Sequence, residues 1–114
     1  MYYFDHSATT PLHPDVVELM HNIQKYKFGN PSSTHKKGRE AKLIIENSRN
    51  QIAHAIGVSS KNIIFTSGGT ESNNQVLWSM LGNKKNHILS NYIEHPAVLN
   101  VLKYLKNYGI DHDL

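Results

Sequence analysis

The sequence has no cysteine. It can therefore form neither a disulfide framework nor a thiolate metal site, and it offers no thiolate nucleophile. It has no apolar run near the ~18 residues of a membrane-spanning helix. Its opening, Met1-Tyr2-Tyr3-Phe4-Asp5, lacks the basic and apolar regions of a secretory leader. No membrane partner is expected, and the expected location is cytoplasmic. Charge of one sign is also modest: 12 Lys and Arg against 9 Asp and Glu, for a net +3. Lys36-Lys37-Gly38-Arg39 and Lys84-Lys85 are loose clusters without the dense stripe or interleaved aromatics of a nucleic-acid surface, so no nucleic-acid partner is expected. The eight histidines do not fall into metal-ligand spacing. His6 and His13, or His87 and His95, are not four apart on a helix, and His21 and His54 have no helical partner histidine. No metal is expected.

What is present fits one small globular domain: hydrophobic residues make up 39% of the 114-residue chain and charged residues 18%. Tyr2-Tyr3-Phe4 is β-prone, and residues 5 to 14 read as irregular. Pro14 suits the first position of a helix that carries Val16, Val17, Met20 and Ile23 at helical spacing. Phe28-Gly29-Asn30-Pro31 predicts a tight turn. Ser32-Ser33-Thr34 offers N-caps for a long second helix bearing Ala41, Ile44, Ile45, Ile52, Ala55 and Ile56, with Gly57 closing it. Residues 62 to 66 (NIIFT) predict a buried strand. A helix with Val76, Leu77, Met80 and Leu81 follows and ends at Gly82. His87 to Ser90 reads as a second strand, and Pro96 opens a helix with Val98, Leu99, Leu102 and Leu105. Gly109 ends that helix, and residues 110 to 114 begin a third strand. Alternating strands and helices predict an α/β fold with parallel pairing. With so few strands and helices the sheet is incomplete, and the chain is expected to be part of a larger domain.

Two places carry chemistry. In Phe65-Thr66-Ser67-Gly68-Gly69-Thr70-Glu71-Ser72-Asn73, two glycines stand between a strand and a helix. There the N–H groups of Gly69, Thr70 and Glu71 and the Thr70 hydroxyl suit an anion such as a phosphate. The lysine of a Walker loop and the GxGxxG dinucleotide pattern are both absent. A plain turn with an N-cap is the alternative. His95, in Ile93-Glu94-His95-Pro96, follows the second strand, on the sheet edge where α/β proteins collect ligands. Its imidazole could stack on a flat ring or move protons near neutral pH; a surface histidine beside a capping Glu94 is the alternative. The loops at residues 5 to 11 and 28 to 33 read locally as caps and turns.

Taken in order, Asp5-x-Ser-Ala-Thr-Thr-Pro, Phe28-Gly-Asn-Pro-Ser-Ser, Phe65-Thr-Ser-Gly-Gly-Thr-Glu-Ser-Asn and Glu94-His-Pro-Ala-Val resemble the cysteine desulfurases. These are pyridoxal-phosphate enzymes of fold type I in the class V aminotransferase group. The resemblance covers essentially the whole chain. It implies the beginning of a large parallel or mixed-sheet domain flanked by helices, with residues 1–14 packing against a small domain and residues 15–114 opening the large cofactor domain. It implies pyridoxal 5′-phosphate as cofactor, held by Gly69 and Thr70, with His95 stacking on its ring and assisting proton transfer. Ala8, Thr9 and Asn30 would line the substrate side. The implied parent activity converts L-cysteine to L-alanine and an enzyme persulfide, for iron–sulfur cluster assembly or tRNA thiolation. Its implied partners are a second copy in a homodimer and sulfur-acceptor or scaffold proteins. The family's nucleophilic cysteine is not in this chain. No lysine here, Lys103 and Lys106 included, stands in the serine-histidine-lysine setting of the Schiff-base lysine. The chain is therefore expected to be an inactive N-terminal portion. The alternatives are a non-catalytic remnant or split-enzyme subunit acting by protein association, or part of another class V aminotransferase.

Overall fold

Proline and glycine set most of the element boundaries. The computed structural model describes residues 2–114, and in it α1 spans Pro14–Tyr26 and α2 spans Lys36–Ile56. Pro14 occupies the first turn of α1, where the missing N–H costs nothing. Gly57 ends α2 in the left-handed conformation, φ 72°, and the Val58 N–H turns back to the Ala53 carbonyl at 2.9 Å. A short 3-10 turn, Ser60–Asn62, follows. Then come α3 at Gly69–Trp78, a 3-10 turn at Ser79–Gly82, β1 at His87–Leu89, α4 at Pro96–Leu105, a 3-10 turn at Lys106–Tyr108 and β2 at Asp111–Asp113. Gly109, φ 78°, closes the last helical segment.

The chain forms two compact units, one up to Ile63 and one over Ile64–Leu114, where the sequence suggested a single small core. In the first unit, Leu19, Ile23 and Tyr26 of α1 and Ile44 of α2 line an apolar cleft of about 290 Å³. Lys27 and Glu40 add an ion pair at 3.3 Å, which holds the Glu40 carboxyl below the ordinary glutamate range. The periodic Val16, Val17 and Met20 of α1 remain exposed, and α1 buries no residue. In α2 the buried positions are Gly38, Ala41 and Ala53, whereas Ile52 and Ile56 of the expected apolar face are exposed.

The second unit holds the tighter core. Val101, Leu105 and Ile110 cluster, with Leu77, Trp78, Met80 and Ile88 packed around them. The strands β1 and β2 pair in parallel, His87 opposite Asp111, Ile88 opposite His112 and Leu89 opposite Asp113. With α4 between them they form the β-α-β unit that the alternation of elements predicted. Ile88 and His112 share one face, as the period of two requires. Residues 62 to 66 do not form the expected strand. Ile63 has extended dihedrals, φ −96° and ψ 124°, but Ile64 and Phe65 are exposed and, among the described residues, the segment joins no ladder. The β-prone Tyr2-Tyr3-Phe4 is likewise unpaired. Among the described residues, no helix is long and apolar enough to cross a membrane.

Candidate functional site

The N-terminus of α3 is open. Its N-cap is Gly68, and no side chain caps the helix. The first intrahelical bond runs from the Ser72 N–H to the Gly68 carbonyl at 3.1 Å, so the N–H groups of Gly69, Thr70 and Glu71 lie ahead of the ladder. A Cβ added at Gly68 or at Gly69 would meet no atom within 4 Å. Neither glycine is demanded by packing within the chain, which suits a turn kept bare for close approach of a ligand. The Thr70 hydroxyl is not engaged by any described residue, whereas the Thr70 carbonyl accepts from the Asn74 amide at 2.8 Å. Three N–H donors, one hydroxyl and the positive end of a ten-residue helix together match the donor set that a phosphate monoester requires.

Neighbouring side chains brace this turn, and sequence reasoning did not single them out. Glu71 reaches back to accept from the Ser67 N–H at 2.7 Å and the Ser67 hydroxyl at 2.6 Å. The Thr66 and Ser72 hydroxyls meet at 2.7 Å, and Ser72 also donates to the Gly68 carbonyl at 3.2 Å. The legible signal was the Ser-x-x-x-Glu spacing, one residue longer than a standard capping box. The Ser67 hydroxyl first, and then its N–H, hold the Glu71 carboxyl below the ordinary glutamate range. A depressed carboxyl contributes stability that is fully present above its unfolded value, about 4.3, and is lost as pH falls through the folded value. The Ser67 amide resonance should therefore titrate with a midpoint below that of a free glutamate; a midpoint at or above it would rule out the Ser67–Glu71 bracket.

His95 is the N-cap of α4. Its Nδ1 accepts the Ala97 N–H at 3.0 Å, and Pro96 takes the first helical position. The side chain is exposed. Glu94, the cap in the alternative reading of His95, accepts from the Asn91 amide at 3.4 Å. The same histidine cap recurs at α1, where His13 accepts from the Asp15 N–H, and at α2, where His35 accepts from the Gly38 N–H. Gly69, Thr70 and His95 thus stand at the N-termini of two helices, α3 and α4, that pack on each other in one unit.

Ala8, Thr9 and Asn30 belong to the other unit. The Ala8 and Thr9 N–H groups donate to the Asp5 carbonyl at 3.0 and 3.2 Å. The Thr9 hydroxyl is tied to the Tyr3 hydroxyl, and His6 Nδ1 lies 2.9 Å from the Thr10 hydroxyl. Asn30 forms the 28 to 33 turn: its Oδ1 accepts from Ser32 N–H at 2.9 Å, and its carbonyl accepts from Ser33 N–H at 3.0 Å. The expected caps Ser32, Ser33 and Thr34 are displaced by His35, because this Asn30 turn carries the chain past them before the helix begins. Among the described residues, no group of three or more His, Cys, Asp or Glu side chains is arranged to hold a metal ion.

Comparison with known proteins gives this geometry a setting. The chain is 48% identical over 112 residues to cysteine desulfurase IscS of Dictyoglomus turgidum, covering 96% of this chain and 28% of the relative. It is 50% identical to cysteine desulfurase IscS of Rickettsia typhi, covering 95% of this chain and 27% of that one. It therefore spans less than a third of the length of these relatives. Among solved structures it is similar to a NifS-like protein, with TM-score 0.82 and 38% identity over 93% of this chain and 30% of the other. It is similar also to SspA in complex with cysteine, with TM-score 0.86 and 35% identity over 99% and 33%. DndA from Streptomyces lividans matches at TM-score 0.79 and 34% identity, over 99% and 33%. The helix-rich fold with its small parallel sheet matches the N-terminal part of these fold type I enzymes. The aminotransferase class-V family matches residues 2–111, and the chain belongs to that family.

Proposed function

We propose that this chain supplies the phosphate-binding turn and the ring-facing histidine of a cysteine desulfurase acting on L-cysteine. The observation that carries the reading is the uncapped N-terminus of α3, bare of Cβ atoms at Gly68 and Gly69 and followed by Thr70, in a chain similar along nearly its whole length to desulfurases. Gly69, Thr70 and Glu71 would bind the phosphate of pyridoxal 5′-phosphate through their N–H groups, and Thr70 would add its hydroxyl. His95 would face the ring and take part in proton movement. When bound, the cofactor supplies an electron sink for bonds broken at the substrate α-carbon. Ala8, Thr9 and Asn30 would line the substrate side, and residues 1–14 would pack with a small domain while 15–114 belong to the large one. A homodimer, sulfur-accepting proteins and a cytoplasmic location complete the proposal.

The phosphate assignment is tested by titrating the chain, followed through its amide resonances. Pyridoxal 5′-phosphate and inorganic phosphate should both move the Gly69, Thr70 and Glu71 signals, and pyridoxal should not. Thr70→Val should weaken phosphate binding about ten- to a hundredfold, the worth of one hydrogen bond to a charged group. Equal response to pyridoxal would defeat the assignment. The desulfurase reading is tested by grafting: this chain replaces the matching stretch of the Dictyoglomus turgidum relative. With a dithiol reductant present to discharge the persulfide, the chimera should release sulfide and L-alanine from L-cysteine, and the cysteine-free chain alone should not. A folded but inert chimera, or turnover by the chain alone, would overturn the reading.

A further inference from the structure

We infer that the Glu71 side chain is a positioning residue for the phosphate turn: by holding Ser67 it keeps the N–H groups of α3 open to an anion that the carboxylate itself repels. The inference rests on the reading of this turn as the phosphate site, and it adds a side chain that touches no ligand.

Charge alone places Glu71 badly. A carboxylate in the first turn of a helix suits the positive end of the dipole, but it competes there with any anion bound at the same N–H groups. Ordinary capping would also close the site. A Ser, Thr, Asp or Asn at the N-cap takes up an N–H of the second or third helical residue, and a capping-box glutamate turns onto the N-cap N–H. Here the N-cap is Gly68, which has no side chain to offer. Glu71 passes it and accepts from the Ser67 N–H at 2.7 Å and the Ser67 hydroxyl at 2.6 Å. Its other oxygen accepts from the Gln75 amide at 3.4 Å. Both oxygens are thus engaged, and none of the N–H groups of Gly69, Thr70 and Glu71 is used up.

The Gly68 carbonyl fixes the rest of the turn. It accepts from the Ser72 N–H at 3.1 Å, the Ser72 hydroxyl at 3.2 Å and the Thr66 hydroxyl at 3.3 Å. In a planar trans peptide unit the C=O and N–H point in opposite directions. With the Gly68 carbonyl drawn to Ser72, the Gly69 N–H of the same unit is directed away from the helix. Two successive glycines have the most backbone freedom to lose on ordering. Unless Ser67 is anchored beforehand, that loss falls on the binding step.

The sign of one effect decides the matter. Glu71→Ala removes a like charge from beside the anion, which by electrostatics alone would tighten binding about two- to fivefold. With Glu71 as a positioning residue, the affinity of the chain for inorganic phosphate should instead fall about tenfold, the cost of ordering one residue's backbone. Glu71→Gln keeps an oxygen for Ser67 and loses the charge, so it should bind phosphate about twofold more tightly than the unsubstituted chain. Ser67→Ala, which leaves the charge and removes the hydroxyl, should weaken binding at least about twofold, and it serves even if Glu71→Ala unfolds. Without phosphate, ¹⁵N relaxation should show Gly68 and Gly69 losing order in Glu71→Ala and regaining it in Glu71→Gln. Emission of Trp78, packed on the core of this unit, reports that each variant is folded. Tighter phosphate binding by Glu71→Ala, equal weakening by Glu71→Ala and Glu71→Gln, or binding indifferent to Ser67→Ala would overturn the inference. So would Gly68 and Gly69 as ordered in Glu71→Ala as in the unsubstituted chain. The two readings fail separately: a chain in which phosphate moves no resonance defeats the phosphate assignment, whereas the order of Gly68 and Gly69 judges Glu71 without any ligand.

Discussion

Replacing Leu105 with alanine is expected to unfold the unit formed by residues 64–114. Leu105 is 0% exposed and sits in the cluster with Val101 and Ile110, under Leu77, Trp78, Met80 and Ile88. Truncating a fully buried leucine typically costs about 2–5 kcal/mol, since the lost transfer energy is joined by the cavity left behind. Small domains have total stabilities near the low end of about 5–15 kcal/mol, so the loss is comparable to the whole. Few other side chains can compensate, because among the described residues Leu102 is the only other large side chain fully buried. Trp78, the sole tryptophan, provides the readout: its ring lies 5.8 Å from Tyr104 and 5.7 Å from Tyr108, against the same cluster. In Leu105→Ala its emission should shift to the red without denaturant. Leu89→Ala, at a position 81% exposed, should change the stability by no more than about 0.5 kcal/mol. Equal effects from the two substitutions would show that the core is elsewhere.

Gly38→Ala should destabilise the other unit, although alanine ordinarily favours a helix over glycine by about 1 kcal/mol. Gly38 is buried in the first turn of α2. A Cβ there would lie 2.6 Å from the Asn30 carbonyl oxygen and 2.8 Å from Ser33 Cβ, with the Ser33 carbonyl oxygen closer still. Two of these neighbours are backbone atoms of the Asn30 turn and cannot rotate aside. Overpacking of this kind costs about 1–3 kcal/mol, and a domain of this size loses roughly 4–8 °C of melting temperature per kcal/mol. Gly29 packs against the first turn of α2 from the other side: a Cβ added there would run into the Lys37 carbonyl and lie 3.0 Å from the Gly38 nitrogen. Neither glycine has a positive φ, so the requirement is proximity rather than conformational freedom. Lys42→Ala, an exposed change on the same helix, serves as the control and should leave the melt nearly unmoved. A Gly38→Ala chain as stable as the control would remove the packed turn from this account, and with it the rigid placement of Asn30.

The features legible in the sequence are those in which one residue's chemistry acts within a few positions. Pro14 and Pro96 begin helices, and Gly57 and Gly109 end helical segments, because a fixed φ, a missing N–H or a left-handed φ has the same meaning wherever the chain goes. The bare turn at Gly68 and Gly69 was legible for the same reason. So was His95, as a polar residue just past a strand. Its capping bond to Ala97 was not foreseen: the alternative reading of His95 as a surface residue gave the cap to Glu94.

The misread features depend on partners far along the chain. Residues 62 to 66 have the composition of a buried strand, but a strand exists only as half of a ladder, and no described strand lies beside this one. Val16, Val17 and Met20 have the spacing of a buried face, yet burial requires a second surface, and these side chains remain in water. The start of α2 passed from Ser32-Ser33-Thr34 to His35 because the Asn30 turn, wedged against Gly38, determines which residue enters the helix. Local sequence determined where α1 and α4 begin and where α2 ends, and which turn lacks side chains around its N–H groups. Only the tertiary structure decided which apolar residues leave water and which extended segment finds a neighbour, because each of those depends on atoms that local spacing does not bring together.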